Sequence, residues 1–232
     1  MCPMTGFLDL NADLGEEVTD DEALLEIVTS ANVACGYHAG NREIMRAVCA
    51  TAARRGVSVG AQVSYDDREN FGRVARDVAR DVLRDQVADQ VGTLRDIAAE
   101  EGAVVRYLKP HGALYHRVID DEEQARAVLA GSGSLPVLGM AGAVILDLAR
   151  DAERGVLLEG FPDRAYGDDG RLVPRDQPGA VLSDDATIAA NAVELATRVD
   201  SVCVHGDSPG AVGHARAVRQ ALEGAGWVLR GL

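Results

Sequence analysis

The stretch that decides the fold is Tyr107-Leu108-Lys109-Pro110-His111-Gly112-Ala113-Leu114-Tyr115. The run Ala103 to Leu108 leads into it, is bounded by Gly102 and Pro110, and predicts a buried strand. The strand ends where reactive side chains begin. Lys109 offers a mobile cation, His111 a group that gains or loses a proton near neutral pH, and Gly112 room for a close turn. Lys109 is the only lysine among 23 Lys and Arg residues. A chain that otherwise uses arginine has an ammonium here. Arginine cannot replace it as a compact charge or as a group whose pKa shifts on burial.

The same order of strand, polar residues and glycine recurs on both sides. The run Phe7 to Gly15 reads as a first strand in which Asp9, Asn11 and Asp13 share one face. Further strands are expected at Ser30–Gly36, Val57–Val63, Leu135–Met140, Val156–Glu159 and Ser201–Val204. Helices are expected at Thr19–Thr29, with Thr19 and Glu22 as a capping box, and at Asn41–Arg55, between an Asn41 cap and Gly56. The next spans Asp77–Glu101, with a buried stripe of Val78, Val82, Val87, Val91 and Leu94. The others are Asp120–Leu129, Ala143–Arg154, Ser183–Val199 capped by Ser183, and Ala211–Gly224; Trp227 to Leu229 is a tail placed to cover a barrel's lower end. Seven strand–helix alternations mean an α/β protein with a parallel sheet. An open sheet would gather its polar strand ends at one switch point. Here they follow six of the seven strands, which predicts a closed barrel with all of them on one face.

Composition sets the bounds. A chain of 232 residues suits one barrel, so residues 1–232 are read as a single domain. Apolar residues make up 47% and aromatics only 4%, so the core must be Val, Leu, Ile and Ala. A net charge of −14 argues against nucleic acid and membrane partners, but not against a local anion site. Cys2, Cys35, Cys49 and Cys203 lack the spacing of a disulfide framework or a structural zinc site. Met1 to Thr5 lacks a signal-peptide pattern, no apolar run approaches a membrane span, and neither Walker A nor GxGxxG is present. The expectation is a soluble cytoplasmic protein with no nucleotide-binding loop of its own.

Collected at the common face are Asp9, Asn11, Asp13, His38, Gln62, Lys109, His111, Glu159, Asp163, Arg164, His205 and Asp207. His38, His111 and His205 each follow a strand directly and lie close to a glycine; His116 and His214 fall in or beside helices and read as structural. Two mechanisms suit the set. Carboxylates and imidazoles could hold a divalent metal that activates water. Alternatively, a carboxylate or imidazole acts as general base while Lys109 and Arg164 bind a small anion.

With these residues in view, the chain resembles the LamB/YcsF family, which includes the A subunits of bacterial 5-oxoprolinase. The matching segments are Asp9 to Glu16, Ala31 to Gly40, Phe71 to Arg73, Val105 to Tyr115, Glu159 to Tyr166, Gly170 to Arg175 and Cys203 to Asp207. The resemblance implies a seven-stranded, TIM-like (β/α) barrel akin to glycoside hydrolases and polysaccharide deacetylases. It implies ATP-dependent opening of the 5-oxoproline lactam to L-glutamate, with ATP and Mg²⁺ handled together with partner subunits B and C. Asp13, His38, Lys109 and His111 would then be catalytic. Asn11, Gln62, Arg73, Glu159, Asp163, Arg164, His205 and Asp207 would bind substrate. One departure stands out: the family usually has His-Pro where this chain has Gln62-Val63, and Gln takes no proton at neutral pH. The chain is also short between Val193 and Val202 relative to the family. Two alternatives stay open: a metal-dependent deacetylase-type hydrolase that needs no ATP, and a non-catalytic binding subunit using Tyr37, Tyr65, Phe71, Tyr115, Phe161 and Tyr166 as platforms. Self-association into a homodimer is an open expectation.

Overall fold

Strand β1, Phe7–Leu14, buries every residue from Leu8 onward, polar and apolar alike. Only a strand covered on both faces can do this. Leu8, Leu10, Ala12 and Leu14 join the main apolar core, while Asp9, Asn11 and Asp13 turn inward to meet side chains from other strands. The computed structural model describes residues 6–207 and 210–232; Cys2 and the Ser208-Pro209 step lie outside them. The following strands are β2 (Ser30–Ala34), β3 (Ser58–Val63), β4 (Val105–Pro110), β5 (Val137–Gly139), β6 (Val156–Gly160) and β7 (Ser201–Val204). All pair in parallel in chain order, and β1 pairs with both β7 and β2, so seven strands close into a barrel.

Helices α1 (Asp21–Leu25), α2 (Arg42–Arg55), α3 (Arg80–Glu100), α4 (Gly112–Asp120), α5 (Glu122–Gly131), α6 (Val144–Asp151), α7 (Asp185–Leu195) and α8 (Ala211–Gly224) surround it. Their apolar faces and the outer faces of the strands form the core of Val, Leu, Ile and Ala that the composition requires. Each fully buried Leu or Val contributes roughly 1.5–3 kcal/mol. The lumen is different. It is filled by stacked polar side chains: Asp9, Ser30 and Ser201 at the bottom, Asn11, Asn32 and Tyr107 in the middle, Asp13, Gln62 and Lys109 at the top. Gly60 makes this filling fit, because a Cβ there would run into the Tyr107 ring.

Several boundaries differ from expectation. The cap of α1 is Asp20, whose carboxylate accepts from the Ala23 N–H at 3.0 Å, so the helix is shorter than Thr19–Thr29. Asp184, not Ser183, caps α7 in the same way at the Thr187 N–H. In α3 the buried stripe runs through Leu83, Val87, Val91 and Leu94; Val82, one residue off that face, is 49% exposed. Strand β4 runs on to Pro110, so Lys109 is a strand residue paired with Gln62. Helix α4 was unforeseen. It starts directly after His111 and buries Leu114, Tyr115, Val118 and Ile119. The tail forms a short strand, β8 (Val228–Leu229), against the lower end of β1. Cys35, Cys49 and Cys203 are free and buried, and no described helix is long and apolar enough to cross a membrane.

Candidate active site

Lys109 reaches across the lumen from β4. Its ammonium lies 2.9 Å from Asp13 Oδ1 on β1, 2.9 Å from Glu159 Oε1 on β6 and 3.1 Å from Cys203 Sγ on β7. Burial alone would drive the proton off Lys109, but the Asp13 and Glu159 carboxylates outweigh it and hold the pKa well above the usual lysine value. Burial likewise pushes Asp13 upward; the Lys109 ammonium more than reverses it, so this carboxyl stays well below the usual range. Asn32 donates a further bond to Asp13 Oδ1 at 2.8 Å. The three ammonium protons are therefore committed to protein partners. Lys109 fixes Asp13 and Glu159 in place, which sequence reasoning could not resolve from a lysine beside a histidine.

Beside this triad, His38 and His111 stack with ring centroids 4.0 Å apart and planes 14° from parallel. The Gln62 amide nitrogen lies 2.9 Å from both Glu16 Oε1 and His111 Nδ1. The reverse amide orientation would face oxygen to carboxylate, so Gln62 donates to both. His111 therefore accepts at Nδ1 and donates from Nε2 to the Phe71 carbonyl at 3.2 Å. Burial, reinforced by His38, pushes His111 well below the usual imidazole range, leaving it neutral at pH 7. Glu16 accepts from Gln62 and lies 3.3 Å from His38 Nε2; burial raises its pKa. Gly72, at φ +69°, closes the β3–α3 loop over this group, since a Cβ there would lie 2.9 Å from His38 Cβ and run into Ser64 Oγ.

Glu16, His38 and His111 bring ligand atoms within 4.8 Å of one another, the only such group of three found among the described residues. They do not fit a metal as arranged. Lone pairs of near-parallel stacked rings do not converge on one point, and the Gln62 N–H groups point into the space an ion would take. No step is therefore assigned to a metal.

A cavity of about 310 Å³ opens above the lumen at the C-terminal ends of the strands. Asp13, Lys109 and His111 contribute to its floor, Tyr115, Phe161 and Leu172 to its apolar wall, and Arg73, Arg164, Arg175, His116, His205 and Asp207 also line it. Arg73 and Arg175 both pair with Asp207, the latter at 3.1 Å. Arg164 donates to the Ala180 and Val173 carbonyls, which pins the loop after β6. Asp163 is fully buried and accepts from His205 Nδ1 at 2.9 Å and from its backbone N–H at 3.0 Å. The cavity is thus cationic in a molecule of net charge −14.

Of the residues the sequence singles out, Asp13, Arg73, Lys109, His111, Arg164, His205 and Asp207 line the cavity. Asn11, Gln62, Glu159 and Asp163 lie buried beneath or behind it, His38 sits behind His111, and Asp9 is at the barrel bottom. Contrary to its structural reading, His116 lines the cavity, because α4 carries it there; His214 is buried beside Asp185. Tyr65 is no platform: it is fully buried and donates to Gln124. Glu16 and Arg175 were missed as site residues. Each closes a segment that matches the family, Asp9 to Glu16 and Gly170 to Arg175, which is the available signal.

Taken together, fold and site define a (β/α)-barrel protein with a small, cationic, imidazole-lined pocket at the C-terminal face, the usual place for a barrel's chemistry. The family model described as LamB/YcsF family matches residues 8–232, and the chain belongs to this family. A relative from Streptomyces avermitilis, named as the A subunit of 5-oxoprolinase, is 50% identical over 242 residues, covering 94% of this chain and 97% of the relative. A crystal structure described as a lactam utilization protein from Thermus thermophilus superposes with a TM-score of 0.91 at 34% identity, covering 98% of this chain and all of that one. A family 4 carbohydrate esterase from Streptomyces lividans matches with a TM-score of 0.53 at 12% identity over 98% of this chain and 92% of that one, a likeness of fold alone.

Proposed function

We propose that this chain is the A component of an ATP-dependent 5-oxoprolinase and opens 5-oxoproline to L-glutamate. The observation that carries the reading is the pocket: about 310 Å³, at the small end of ligand sites, with three arginines around it and Asp13 and Lys109 at its floor. A small cyclic amide bearing one carboxylate fits that description. Arg73, Arg164 and Arg175 supply cationic groups for the carboxylate, and Tyr115, Phe161 and Leu172 supply apolar surface for the ring. A lactam is a poor electrophile. Phosphorylation of its amide oxygen by ATP makes the carbonyl carbon open to water, and the product is γ-glutamyl phosphate or glutamate. The chain carries no phosphate-cradling motif, so ATP and Mg²⁺ are assigned to the assembly with partner subunits B and C.

The test is glutamate release from 5-oxoproline and ATP, with this chain alone and then mixed with its B and C partners. Turnover in the mixture alone is the expected result. No turnover, with B and C that work alongside another family member in place of this chain, would sink the reading.

A further inference from the structure

We infer that His205 is the general base of this pocket, with Asp163 as its positioning residue; the inference rests on the lactam-opening reading above. His116 also lines the cavity, but among the described residues no hydrogen bond orients its ring, and the remaining candidates are committed elsewhere. His111 has both ring nitrogens engaged, at Gln62 and at the Phe71 carbonyl. His38 is buried behind it and is not among the residues lining the cavity. Glu16 is held by Gln62 and His38. Asp13 is tied down by Lys109 and Asn32, and a carboxyl kept well below its usual range is a poor proton acceptor.

His205 alone combines an oriented ring with a nitrogen left over. Asp163 accepts its Nδ1 proton at 2.9 Å, which leaves the lone pair on Nε2. The same carboxylate accepts the His205 backbone N–H at 3.0 Å, so residue and carboxylate are locked in register. Phe161 stacks on the ring, with centroids 5.2 Å apart and planes at 22°, and fixes its rotation. The ring lines the cavity, and Nε2 has no hydrogen-bond partner among the described residues. Asp163 is fully buried, so the Nε2 edge is the one left for the pocket. This is the logic of a carboxylate holding an imidazole in the tautomer that can take a proton.

The step balances without redox change. The oxygen of water bonds to the lactam carbonyl carbon, activated by ATP as proposed, and the proton of that water passes to His205 Nε2. The hydroxyl oxygen re-forms a carbonyl and releases its proton as the carbon–nitrogen bond breaks, and the electron pair stays on nitrogen, which takes the Nε2 proton. The phosphoryl group remains on the new carboxyl as γ-glutamyl phosphate, whose hydrolysis gives glutamate and phosphate. The charged or titratable groups around His205 include Asp163 from the loop after β6, Asp13 from β1, His116 from α4, and Asp207 from its own loop with its partners Arg73 and Arg175.

Two measurements test the inference. In the complete three-component enzyme, His205→Gln should lower kcat by about 10²–10⁴-fold with little change in KM. Asp163→Asn should lower kcat comparably while the barrel still folds, because the ring then carries its proton on the wrong nitrogen. An H205Q enzyme with more than a tenth of wild-type kcat would overturn the inference. The second measurement needs no turnover. Diethyl pyrocarbonate, which acylates unprotonated imidazole nitrogens, should modify His205 before His38 and His111 in the chain alone, and Asp163→Asn should slow it. Modification of His38, His111 or His116 with His205 spared would overturn the assignment even if the complex proves active. A wild-type complex that fails on 5-oxoproline while His205 remains the most reactive imidazole would remove the substrate reading and leave the oriented base standing.

Discussion

At the scale of single residues, Lys109 shows how a charge can be structural and still govern a site. It balances two buried carboxylates, Asp13 and Glu159, so its removal leaves both uncompensated. Lys109→Met should cost about 3–5 kcal/mol at pH 7, read as a shift in urea midpoint. The sign with pH follows from Asp13. Its folded pKa is depressed, so its pairing stabilises above the ordinary carboxylate pKa and is lost only as pH falls through the lower folded value. Without Lys109, burial dominates, Asp13 takes up a proton more readily, and the gap between wild type and variant should narrow from pH 7 towards pH 4. A gap of constant size over that range would refute this account. Gln62 supports a second expectation. Its amide holds Glu16 and His111 apart from any ion, so the purified chain should retain no stoichiometric zinc after dialysis. Zinc that stays bound and disappears in His38→Ala would contradict the geometry. The sequence marks Lys109 as special and Gln62 as a departure. It cannot show that both sit in networks whose partners come from strands roughly 50 to 100 residues away, because such contacts exist only once the barrel closes.

At the scale of elements, the alternation that predicts the barrel is legible because each strand is a short apolar run ended by glycine or polar residues. Caps are less legible. Thr19 and Ser183 are acceptable caps, but Asp20 and Asp184 stand one residue later and accept the helix N–H bonds instead. Helix α4 is hidden because the residues before it belong to the site and look like loop chemistry. The polar filling of the lumen is half visible: the alternation in β1 can be read from the sequence, but its partners on β2 and β7 cannot. The β3–α3 loop carries the clearest element-scale prediction. Gly72 combines φ +69° with close approach to Ser64, His38 and His111. Gly72→Ala must displace the loop or the stacked rings. It should leave the barrel's far-UV dichroism intact, lower Tm by several degrees, as a loss of about 1–2 kcal/mol would in a chain of this size, and reduce turnover of the complex at least tenfold. Full turnover in the alanine variant would show that the loop does not set the positions of the two histidines.

At the scale of the whole molecule, the two ends of the barrel are coupled to different chemistry. The upper end is open and carries the pocket. The lower end is closed by the tail: the Arg230 N–H donates to Leu8 O, Trp227 packs over Gly6, and the Leu232 N–H donates to Ser30 Oγ at 3.2 Å. Ser30 in turn donates to Asp9 Oδ1 at 2.6 Å, so the tail covers the lowest polar layer of the lumen. Sealed there, Asp9 is pushed by burial from the ordinary 3.8 up to about 6, against the hydroxyls of Ser201, Ser30 and Thr29. Because the folded chain holds this proton more tightly than the unfolded chain, Asp9 favours the fold at low pH. That contribution is lost as pH rises from about 4 through about 6, a change of about 3 kcal/mol. It opposes the usual loss of stability in acid. Removing residues 227–232 admits water to Asp9 and returns its pKa towards the ordinary value. The truncated chain should therefore be less stable at every pH, yet should lack the decline between about pH 4 and about pH 6 that Asp9 contributes. Asp9→Asn in the full chain should remove the same decline without removing the lid. Urea unfolding of the three proteins across that range decides the matter. Identical pH profiles for wild type and D9N would mean that Asp9 is not the buried acid responsible, whatever the tail covers.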